Sequence, residues 1–535
     1  MSTAPRFFNT AGPVNCADHY CLPPLERFNL DDVLLLIAQK KYFVLHAPRQ
    51  TGKTSCLLAL EEYLQRSGEY QPLYINVEIA QSAREDVGAA MQAILGKLAA
   101  QTYSRLGNPT LNENWRPLLE KHGPHGALEA ALALWAESSP QPTVLMIDEI
   151  DSLVGDTLIS VLRQLRAGYT NRPASFPQSV AMCGVRDVRD YQIHSSRDKA
   201  IITGGSAFNI KAESLRLGDF TRPEVETLYL QHTAATGQTF EAGVFDTVWH
   251  LTQGQPWLVN ALGYEACFKM AASRARAQPI TVERLIEAKE TLILRRDTHL
   301  DQLADKLSEP RVRRVIEPIL MGETYARGLD PLDVQYVIDL GLARQSQPGE
   351  LQIANRIYQE IIPRQLTWGA QTGMALDAAW YLRADGCLEM DKLLLAFQEF
   401  FREHSEHWVE RFDYQEAGPQ LLLQAFLQRI VNGGGRVERE YGLGRMRTDL
   451  LVIWPGKRVA GSQPQRIVIE LKVLRGSLER TVTEGLEQTW NYLDRCGADE
   501  AHLIIFDRRP QRSWSEKIFR RQEVCRGVPI TVWGM

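Results

Sequence analysis

The residues of this chain that are best placed to do chemistry form two groups, one near each end of the sequence. The first group contains Gly52–Thr54, a Gly-Lys-Thr triplet that follows the short apolar run Tyr42–Leu45 and precedes a helical pattern of leucines. A strand, a tight loop and a helix N-terminus in this order offer free backbone N–H groups and a positive helix end to a phosphate. The sequence therefore predicts a phosphate-binding loop in which Lys53 reaches the β- and γ-phosphates of a nucleotide and Thr54 ligates Mg²⁺.

The rest of this loop is expected to bind the same nucleotide through Gln50, Thr51 and Gly52. The usual pattern opens with glycine, but this chain has Ala47 at that position, which puts the first turn of the loop in question. A chance Gly-Lys-Thr at an ordinary strand-to-helix turn is the alternative interpretation.

A pair of carboxylates completes the prediction for the first group. The apolar run Val144–Ile147 leads directly into Asp148 and Glu149, which is typical of a buried parallel strand with acids at its carboxyl end. We expect Asp148 to belong to the Mg²⁺ shell and Glu149 to polarise the attacking water. An acid pair can also cap a helix, but the upstream Lys53 favours nucleotide hydrolysis.

Two further positions are candidates for nucleotide contact. Arg186 ends a second apolar run that begins at Ser179, where a cation would sense the γ-phosphate; a helix-capping or surface arginine is the alternative. Pro256, in the break Gly254–Trp257 between two helical patterns, stands at a first helical position. That turn would lie near the base of the nucleotide, or would be plain helix punctuation.

The second chemical group lies in an apolar run near the C-terminus. Along Arg466–Val473, isoleucine, leucine and valine alternate with Glu470 and Lys472. Because side chains of a strand alternate between its faces, the acid and the lysine share one face. Charged groups in an apolar strand are costly to bury unless they bind something.

An acid on the preceding strand extends this group to a candidate metal site. Asp449 and Glu470 would hold Mg²⁺ or Mn²⁺, and Lys472 would orient water or steady the phosphate charge. Glu416, on a preceding helical pattern, is a further candidate ligand, and Gln488, on the following one, a candidate catalytic residue. The predicted reaction is metal-assisted phosphodiester hydrolysis. A solvated strand or a decayed site is the alternative.

The order of predicted strands and helices around these two groups indicates a multidomain α/β protein. Alternating strands and helices indicate a doubly wound parallel sheet in a nucleotide-binding core, and a helical lid follows. Helices followed by a hairpin suggest a winged helix, and a helical connector then leads to a C-terminal α/β domain. The expected boundaries are 1–218 for the core, 219–300 for the lid, 301–367 for the winged helix, 368–412 for the connector and 413–535 for the last domain.

Composition narrows the classes of protein and of partner. At 535 residues the chain is too long for one core, and 44% hydrophobic with 23% charged residues excludes disordered and fibrous classes. With 60 basic and 65 acidic residues, nucleic-acid contact must come from local patches, for which Arg311, Arg313, Arg314 and the basic tail after Ile505 are candidates.

The cysteines and the apolar runs of the sequence indicate where in the cell the protein is expected. The eight cysteines form no Cys-x-x-Cys pair and are expected to be reduced thiols. Apolar runs are too short to span a membrane, and the N-terminus has no secretion core. We expect a cytoplasmic protein without membrane contact.

Residues 40–300 resemble the AAA-like ATPases of the signal-transduction and origin-recognition type. The resemblance rests on Gly52–Thr54, Leu145–Glu149, Gly184–Arg186 and Gly254–Pro256. It implies a P-loop ATPase in which Arg186 contacts the γ-phosphate and Pro256 lies against adenine. Such sites are commonly completed by an arginine of a neighbouring copy, which implies a homo-oligomer. The candidate donors are Arg163, Arg166 and Arg172.

Residues 413–510 resemble the PD-(D/E)XK nuclease superfamily, which has a restriction-endonuclease-like α/β fold. The matching positions are Glu416, Asp449, Glu470–Lys472 and Gln488, with Thr448 where the motif usually has proline. The combination resembles bacterial ATPase–nuclease fusions, many suspected of acting against phage or mobile DNA. The resemblance implies that ATP binding or hydrolysis controls metal-dependent cleavage of DNA. The alternatives are a nucleotide-controlled DNA-binding switch whose nuclease-like domain only grips, and nucleotide signalling through the winged helix to a protein partner.

Overall fold

The computed structural model divides the 535-residue chain into two compact units. The first unit comprises Met1–Arg295 and Ile338–Gly341, and the second comprises Arg296–Val337 and Leu342–Met535. The residues described are 6–186, 193–194, 201–202, 213–270, 275–295, 306–307, 309–320, 328–366, 381–409, 423–424, 426–427, 436–443, 446–455, 463–474, 476–507, 509 and 511–535.

A parallel sheet forms the centre of the first unit, as the alternating pattern predicts. Its strands lie in the order β2-β3-β4-β1-β7, and every neighbouring pair is parallel. Their bounds are β1 (Phe43–His46), β2 (Gln71–Asn76), β3 (Thr143–Asp148), β4 (Ser179–Gly184) and β7 (Glu213–Arg216), with β5 (Ile193–His194) and β6 (Ile201–Ile202) in a separate antiparallel pair.

Both faces of this sheet are covered, which explains why its strands are continuous apolar runs. Every residue of β3 is buried, and its side chains alternate between two clusters. Leu145 and Ile147 belong to one cluster, and Val144 and Met146 belong to the other. The surrounding helices are α1 (Leu30–Ala38), α2 (Lys53–Ser67), α3 (Val87–Leu106), α4 (Thr110–His122), α5 (Ala127–Glu137) and α6 (Gly155–Ala167).

Helices follow the sheet, as the sequence predicts for the lid. They are α7 (Arg222–Thr236), α8 (Val244–Thr252), α9 (Pro256–Tyr264) and α10 (Val282–Arg295). The start of α7 is fixed by a capping box in which Thr221 and Glu224 each bond the other's backbone N–H. Pro256 stands at the first position of α9, where a missing N–H costs nothing.

The second unit begins with helices and a hairpin. The elements are α11 (Pro310–Leu320), α12 (Pro331–Asp339), β8 (Ala343–Gln347), β9 (Glu350–Ile353) and α13 (Arg356–Leu366). This order agrees with the pattern that suggested a winged helix, but the arginines proposed for DNA contact are engaged within the unit. Arg314 lies 2.8 Å from Asp333, Arg311 lies 3.4 Å from the same carboxylate, and Arg313 donates to the Leu307 carbonyl.

A mixed sheet forms the rest of the second unit, in the order β10-β11-β12-β13-β15-β14. The β10–β11, β11–β12 and β14–β15 pairs are antiparallel, and β13 runs parallel to both β12 and β15. The bounds are α14 (Met390–Val409), β10 (Arg436–Leu443), β11 (Met446–Trp454), β12 (Gln465–Val473), α15 (Leu478–Cys496), β13 (Glu500–Phe506), α16 (Trp514–Lys517), β14 (Phe519–Cys525) and β15 (Val528–Gly534).

Two cores lie against this mixed sheet. Leu393 and Phe397 of α14 pack in one of them with Ile467 and Ile469 of β12. Val482 of α15 packs in the other. The helical stretch interpreted as a connector therefore supplies part of the core of this unit.

The basic tail forms the short helix α16 and the strands β14 and β15. Burial in β14 alternates residue by residue, so its arginines fall on both faces. The described arginines of the tail are paired with acids, which weakens the prediction of a nucleic-acid track. The pairs are Arg509–Asp507, Arg512–Glu516, Arg520–Asp391, Arg521–Glu479 and Arg526–Glu487.

Two further expectations meet the structure here. Cys16 and Cys21 form a disulfide, contrary to the expectation of reduced thiols, whereas the other six cysteines form no disulfide. Across the described residues, no helix combines the length and the apolar character that crossing a membrane requires.

Candidate functional site

The predicted phosphate loop lies between β1 and α2. Gly52 has a φ of 93° and Gln50 a φ of 58°, so two residues of the loop adopt left-handed backbone. Left-handed residues within a turn direct successive N–H groups towards one point, which suits an anion. Lys53 is buried, and its Nζ donates to the carbonyls of Ala47 and Pro48 at 2.9 Å each. The ammonium thus lies inside the loop that it is predicted to serve.

Ala47 replaces the usual first glycine without strain. Its side chain is fully buried, and it is not among the residues with positive φ. Its N–H donates to the Gly184 carbonyl at 3.3 Å, which ties the loop to β4. Because its φ is not positive, glycine is not required at this position.

Asp148 joins the phosphate loop to the acid strand. Its Oδ2 accepts from the Thr54 hydroxyl at 2.7 Å and from the Tyr74 hydroxyl at 2.9 Å. The carboxylate is fully buried at the end of β3. A carboxylate beside a hydroxyl at a phosphate loop is the hard oxygen set that Mg²⁺ prefers, so these residues fit that ion.

Tyr74 is a member of this site that the motifs do not reveal. It lies on β2, the strand next to β3, and its hydroxyl donates to the predicted metal ligand. Burial, followed by the Asp148 charge, raises the pKa of Tyr74. The Tyr74 hydroxyl therefore stays protonated near neutral pH and can donate its hydrogen bond to Asp148. A tyrosine in an apolar strand beside the acid strand was the available signal.

Glu149 occupies a strained position beside this carboxylate. Its φ of 56° and ψ of 41° are left-handed, which costs a residue other than glycine about 1–2 kcal/mol. Such strain clusters at functional sites. Burial, with the charges of Asp151 and Asp148 adding to it, raises the pKa of Glu149. A raised pKa makes a carboxylate a stronger proton acceptor, which suits activation of water.

The two remaining nucleotide candidates lie in the first unit. Arg186 follows β4, and its Nε lies 3.7 Å from the buried carboxylate of Asp339, which belongs to the same unit. Pro256 lines a cleft together with Gln50, Thr51 and Gly52 of the phosphate loop. The structure thus brings Pro256 to the loop, whereas Arg186 is engaged by an acid that sequence reasoning did not identify.

The N-terminal segment Arg6–Leu22 also contributes to this cleft, through residues such as Thr10 and Tyr20. The Val14 N–H donates to the Ser55 hydroxyl of α2 at 3.0 Å, which attaches the segment beside the loop. Arg27 donates to the carbonyls of Thr51 and Gly218. The aromatic lead-in gave a compositional signal only, because these contacts depend on tertiary folding.

Of the arginines considered as donors to a neighbouring copy, two are exposed. Arg163 and Arg166 project from α6. Arg172 instead donates to the carbonyls of Tyr169 and Lys40 and lies over the Tyr169 ring. The contacts favour the two α6 arginines over Arg172.

The second predicted site has its centre on β12. Ile467, Ile469 and Leu471 pack in one core, and Val468 packs in the other, so the predicted alternation is present. Glu470 is 3% exposed, and its Oε1 accepts from the Lys472 ammonium at 2.8 Å. A buried acid thus meets a half-buried lysine on this strand.

The other candidates of this site are placed unequally. Asp449 precedes Leu450 on β11, and Leu450 pairs with Ile469, the residue before Glu470 on β12. The side chain of Asp449 and the whole of Glu416 lie outside the described residues. Gln488 is exposed on α15.

A further cluster with ligand-type atoms contains Asp391, Glu500 and His502. The His502 Nδ1 accepts from the Trp533 indole at 3.1 Å, and its Nε2 lies 2.9 Å from Glu500. Because Nδ1 accepts, Nε2 carries the proton and donates to the carboxylate. The imidazole has no lone pair left for a metal, so we interpret this cluster as a hydrogen-bond network.

The chain is similar to several solved structures, all at low identity. The Walker-type ATPase PABY2304 of Pyrococcus abyssi is 12% identical with a TM-score of 0.42, over 66% of this chain and 99% of that one. The RuvB Holliday junction branch migration motor of Thermotoga maritima is 13% identical with a TM-score of 0.34, over 63% and 96%. Cdc6p of Pyrobaculum aerophilum is 15% identical with a TM-score of 0.35, over 65% and 95%.

No curated protein matches the chain. A family model described as an AAA-like domain matches residues 36–362, which is more than half of the 535 residues. The matched range contains the phosphate loop, the acid strand and the lid helices described above. The chain belongs to the AAA-like domain family.

Proposed function

We propose that the chain binds and hydrolyses ATP with Mg²⁺ at the phosphate loop, and that its nucleotide state controls a C-terminal, metal-dependent nuclease that cleaves DNA. The observation that carries the ATPase part is the 2.7 Å contact between Thr54 and Asp148. It brings together a hydroxyl and a carboxylate that are 94 residues apart in sequence. Family membership supports the same assignment.

The roles of the residues follow from their placement. The loop around Gly52 offers N–H groups to the phosphates, and Lys53 exchanges its two carbonyl partners for phosphate oxygens. Thr54 and Asp148 would hold Mg²⁺, which neutralises the developing charge on the phosphates when bound. Glu149, with its raised pKa, orients water and accepts its proton.

A homo-oligomer is part of the proposal. Exposed Arg163 and Arg166 on α6 are available to a neighbouring copy, where a guanidinium would stabilise transition-state charge. In this arrangement nucleotide binding and assembly depend on each other, because each site is completed by the next copy.

The nuclease part rests on β12 and its neighbours. The Lys472 ammonium lies 2.8 Å from buried Glu470, and Asp449 precedes Leu450, which pairs with Ile469 beside Glu470. Two carboxylates would hold the metal, and Lys472 would orient water or stabilise the charge of the phosphate. The order of three antiparallel strands, a helix and a parallel strand from β10 to β13 supports the same assignment.

The test combines two assays of the full chain. Phosphate release from ATP with Mg²⁺ should be lost in Lys53→Ala, and cleavage of plasmid and linear DNA with Mg²⁺ or Mn²⁺ should be lost in Lys472→Ala. Cleavage measured with and without ATP, in wild type and in Lys53→Ala, shows whether nucleotide controls the nuclease.

The outcomes separate the two halves of the proposal. DNA that is bound but never cut would replace the nuclease with a nucleotide-controlled binding switch. Phosphate release that survives in Lys53→Ala would overturn the ATPase assignment. A role against phage or mobile DNA is proposed only if cleavage is found, and phage plating on cells that carry Lys472→Ala would test it.

A further inference from the structure

The cleft beside the phosphate loop has a cavity volume of about 140 Å³ and is lined by three parts of the first unit. Gln50 and Gly52 come from the loop, Asn9 and Thr10 from the N-terminal segment, and Asn260 from α9. A ligand held by its phosphates at the loop therefore has room to extend towards α9. In a nucleotide, the part that extends away from the phosphates is the ribose and the base.

Asn260 lines this cleft, and its side chain carries a buried acceptor without a partner among the described residues. Its Nδ2 donates to the Pro256 carbonyl at 2.8 Å, one helical turn earlier. That bond fixes the side-chain amide, because the opposite orientation would set two oxygens against each other. The Oδ1 is buried and has no hydrogen-bond partner among the residues that the structure describes. A buried acceptor without a donor costs about 1–3 kcal/mol, which a donor from a ligand would recover.

The wall on this side of the cleft is held in place by Trp257. The indole is 8% exposed, and its N–H donates to the Thr10 carbonyl at 3.0 Å. Pro256 precedes it at the start of α9. An apolar ring and a single unsatisfied polar atom are the usual composition of a site that accepts a flat heterocycle and fixes its orientation.

We propose that Asn260 is the residue that reads the nucleobase, with its Oδ1 accepting from the exocyclic amine of adenine. The inference rests on the proposed nucleotide binding and adds a specificity residue to it. Guanine and hypoxanthine have a carbonyl at the ring position where adenine has its amine. An acceptor facing that carbonyl leaves both oxygens unsatisfied, so Asn260 makes the site selective for adenine nucleotides.

The experiment measures calorimetric binding of ADP, GDP and IDP with Mg²⁺ to the full chain. The diphosphates avoid hydrolysis, and IDP places a carbonyl where ADP has the amine. Wild type should bind ADP about tenfold more tightly than GDP and IDP, which corresponds to one hydrogen bond of about 1.4 kcal/mol. In Asn260→Leu, this preference should fall to within about twofold.

Asn114→Leu is the matched control. Asn114 lies in α4 of the same unit, its Nδ2 donates to the Thr110 carbonyl at the same 2.8 Å and helical spacing, and it is not among the residues that line the cleft. It should keep the wild-type preference. The ratio of two affinities within one variant does not depend on how much of that variant is folded.

Three results would overturn the inference. Equal binding of the three nucleotides by wild type, with all binding lost in Lys53→Ala, would leave the ATPase proposal standing and remove the role of Asn260. A full adenine preference in Asn260→Leu would do the same. The absence of binding by any nucleotide would overturn the inference and the proposed function together.

Discussion

At the scale of single residues, Tyr74 offers the sharpest test of the acid strand. Its hydroxyl donates to Asp148 at 2.9 Å, so Tyr74→Phe removes one hydrogen bond and leaves the ring in place. A partner that orients a metal ligand is typically worth 10- to 100-fold in metal affinity or activity. We expect the Mg²⁺ concentration for half-maximal phosphate release to rise about tenfold, with little change in the affinity for nucleotide without metal.

Tyr103→Phe is the control for that prediction. Tyr103 lies on α3 of the same unit and is 57% exposed, so losing its hydroxyl should leave the Mg²⁺ titration unchanged. An unaltered Mg²⁺ titration in Tyr74→Phe would mean that the hydroxyl does not orient Asp148.

The residues of the site divide into those that sequence spacing identifies and those that it does not. Thr54 and Asp148 are recognisable because each belongs to a short motif whose chemistry requires neighbours in sequence. Tyr74 and Asn260 act through contacts that only the folded sheet and lid create. Ala47 shows the converse, since the motif suggested a difficulty that the backbone does not have.

At the scale of elements, the break between α8 and α9 depends on a close approach. Gly254 has a φ of 79°, and a Cβ added there would lie 1.9 Å from the Phe220 carbonyl oxygen. Gly254→Ala therefore combines left-handed strain with a clash against backbone, which together cost about 2–5 kcal/mol. We expect a lower melting temperature and weaker nucleotide binding, because Pro256 begins the next helix at the cleft.

Gly237→Ala separates the two costs. Gly237 ends α7 of the same lid with a φ of 76°, and a Cβ there meets nothing within 4 Å. Strain alone should lower stability by about 1 kcal/mol and leave nucleotide affinity unchanged. Equal effects of the two substitutions in thermal unfolding would show that the contact with Phe220 is unimportant.

The positions of several strands can be predicted from the spacing of hydrophobic residues in the sequence. The strands β1, β3 and β4 are short apolar runs, and the pattern for β12 predicts which of its residues share a face. The tail was harder, because interleaved arginines and aromatics fit a helix face as well as a strand. Pairing with β15 decides for strand, and that pairing is a tertiary property.

At the scale of the whole molecule, each unit has cores of its own. The clusters around β3 draw on the first unit, and those around β12 draw on the second. Sequence composition anticipates several domains from chain length alone. It does not anticipate that Ile338–Gly341 belongs to the first unit while the chain on both sides belongs to the second, since contacts distant in sequence decide that division.

Separate cores predict that the units respond separately to ligand and to mutation. A chain of several domains need not unfold in one step, and we expect two transitions in differential scanning calorimetry. ADP with Mg²⁺ at 100 times its dissociation constant stabilises the state that binds it by about 2.7 kcal/mol. The ligand should raise the temperature of one transition only, and Lys53→Ala should abolish that rise.

Lys472→Ala, which removes the cation 2.8 Å from buried Glu470, should lower the temperature of the other transition. The response of the first transition to ADP should stay intact. A single transition that both changes move together would mean that the units unfold as one body, and nucleotide control of the C-terminal site would then act through shared stability rather than through two independently folded parts.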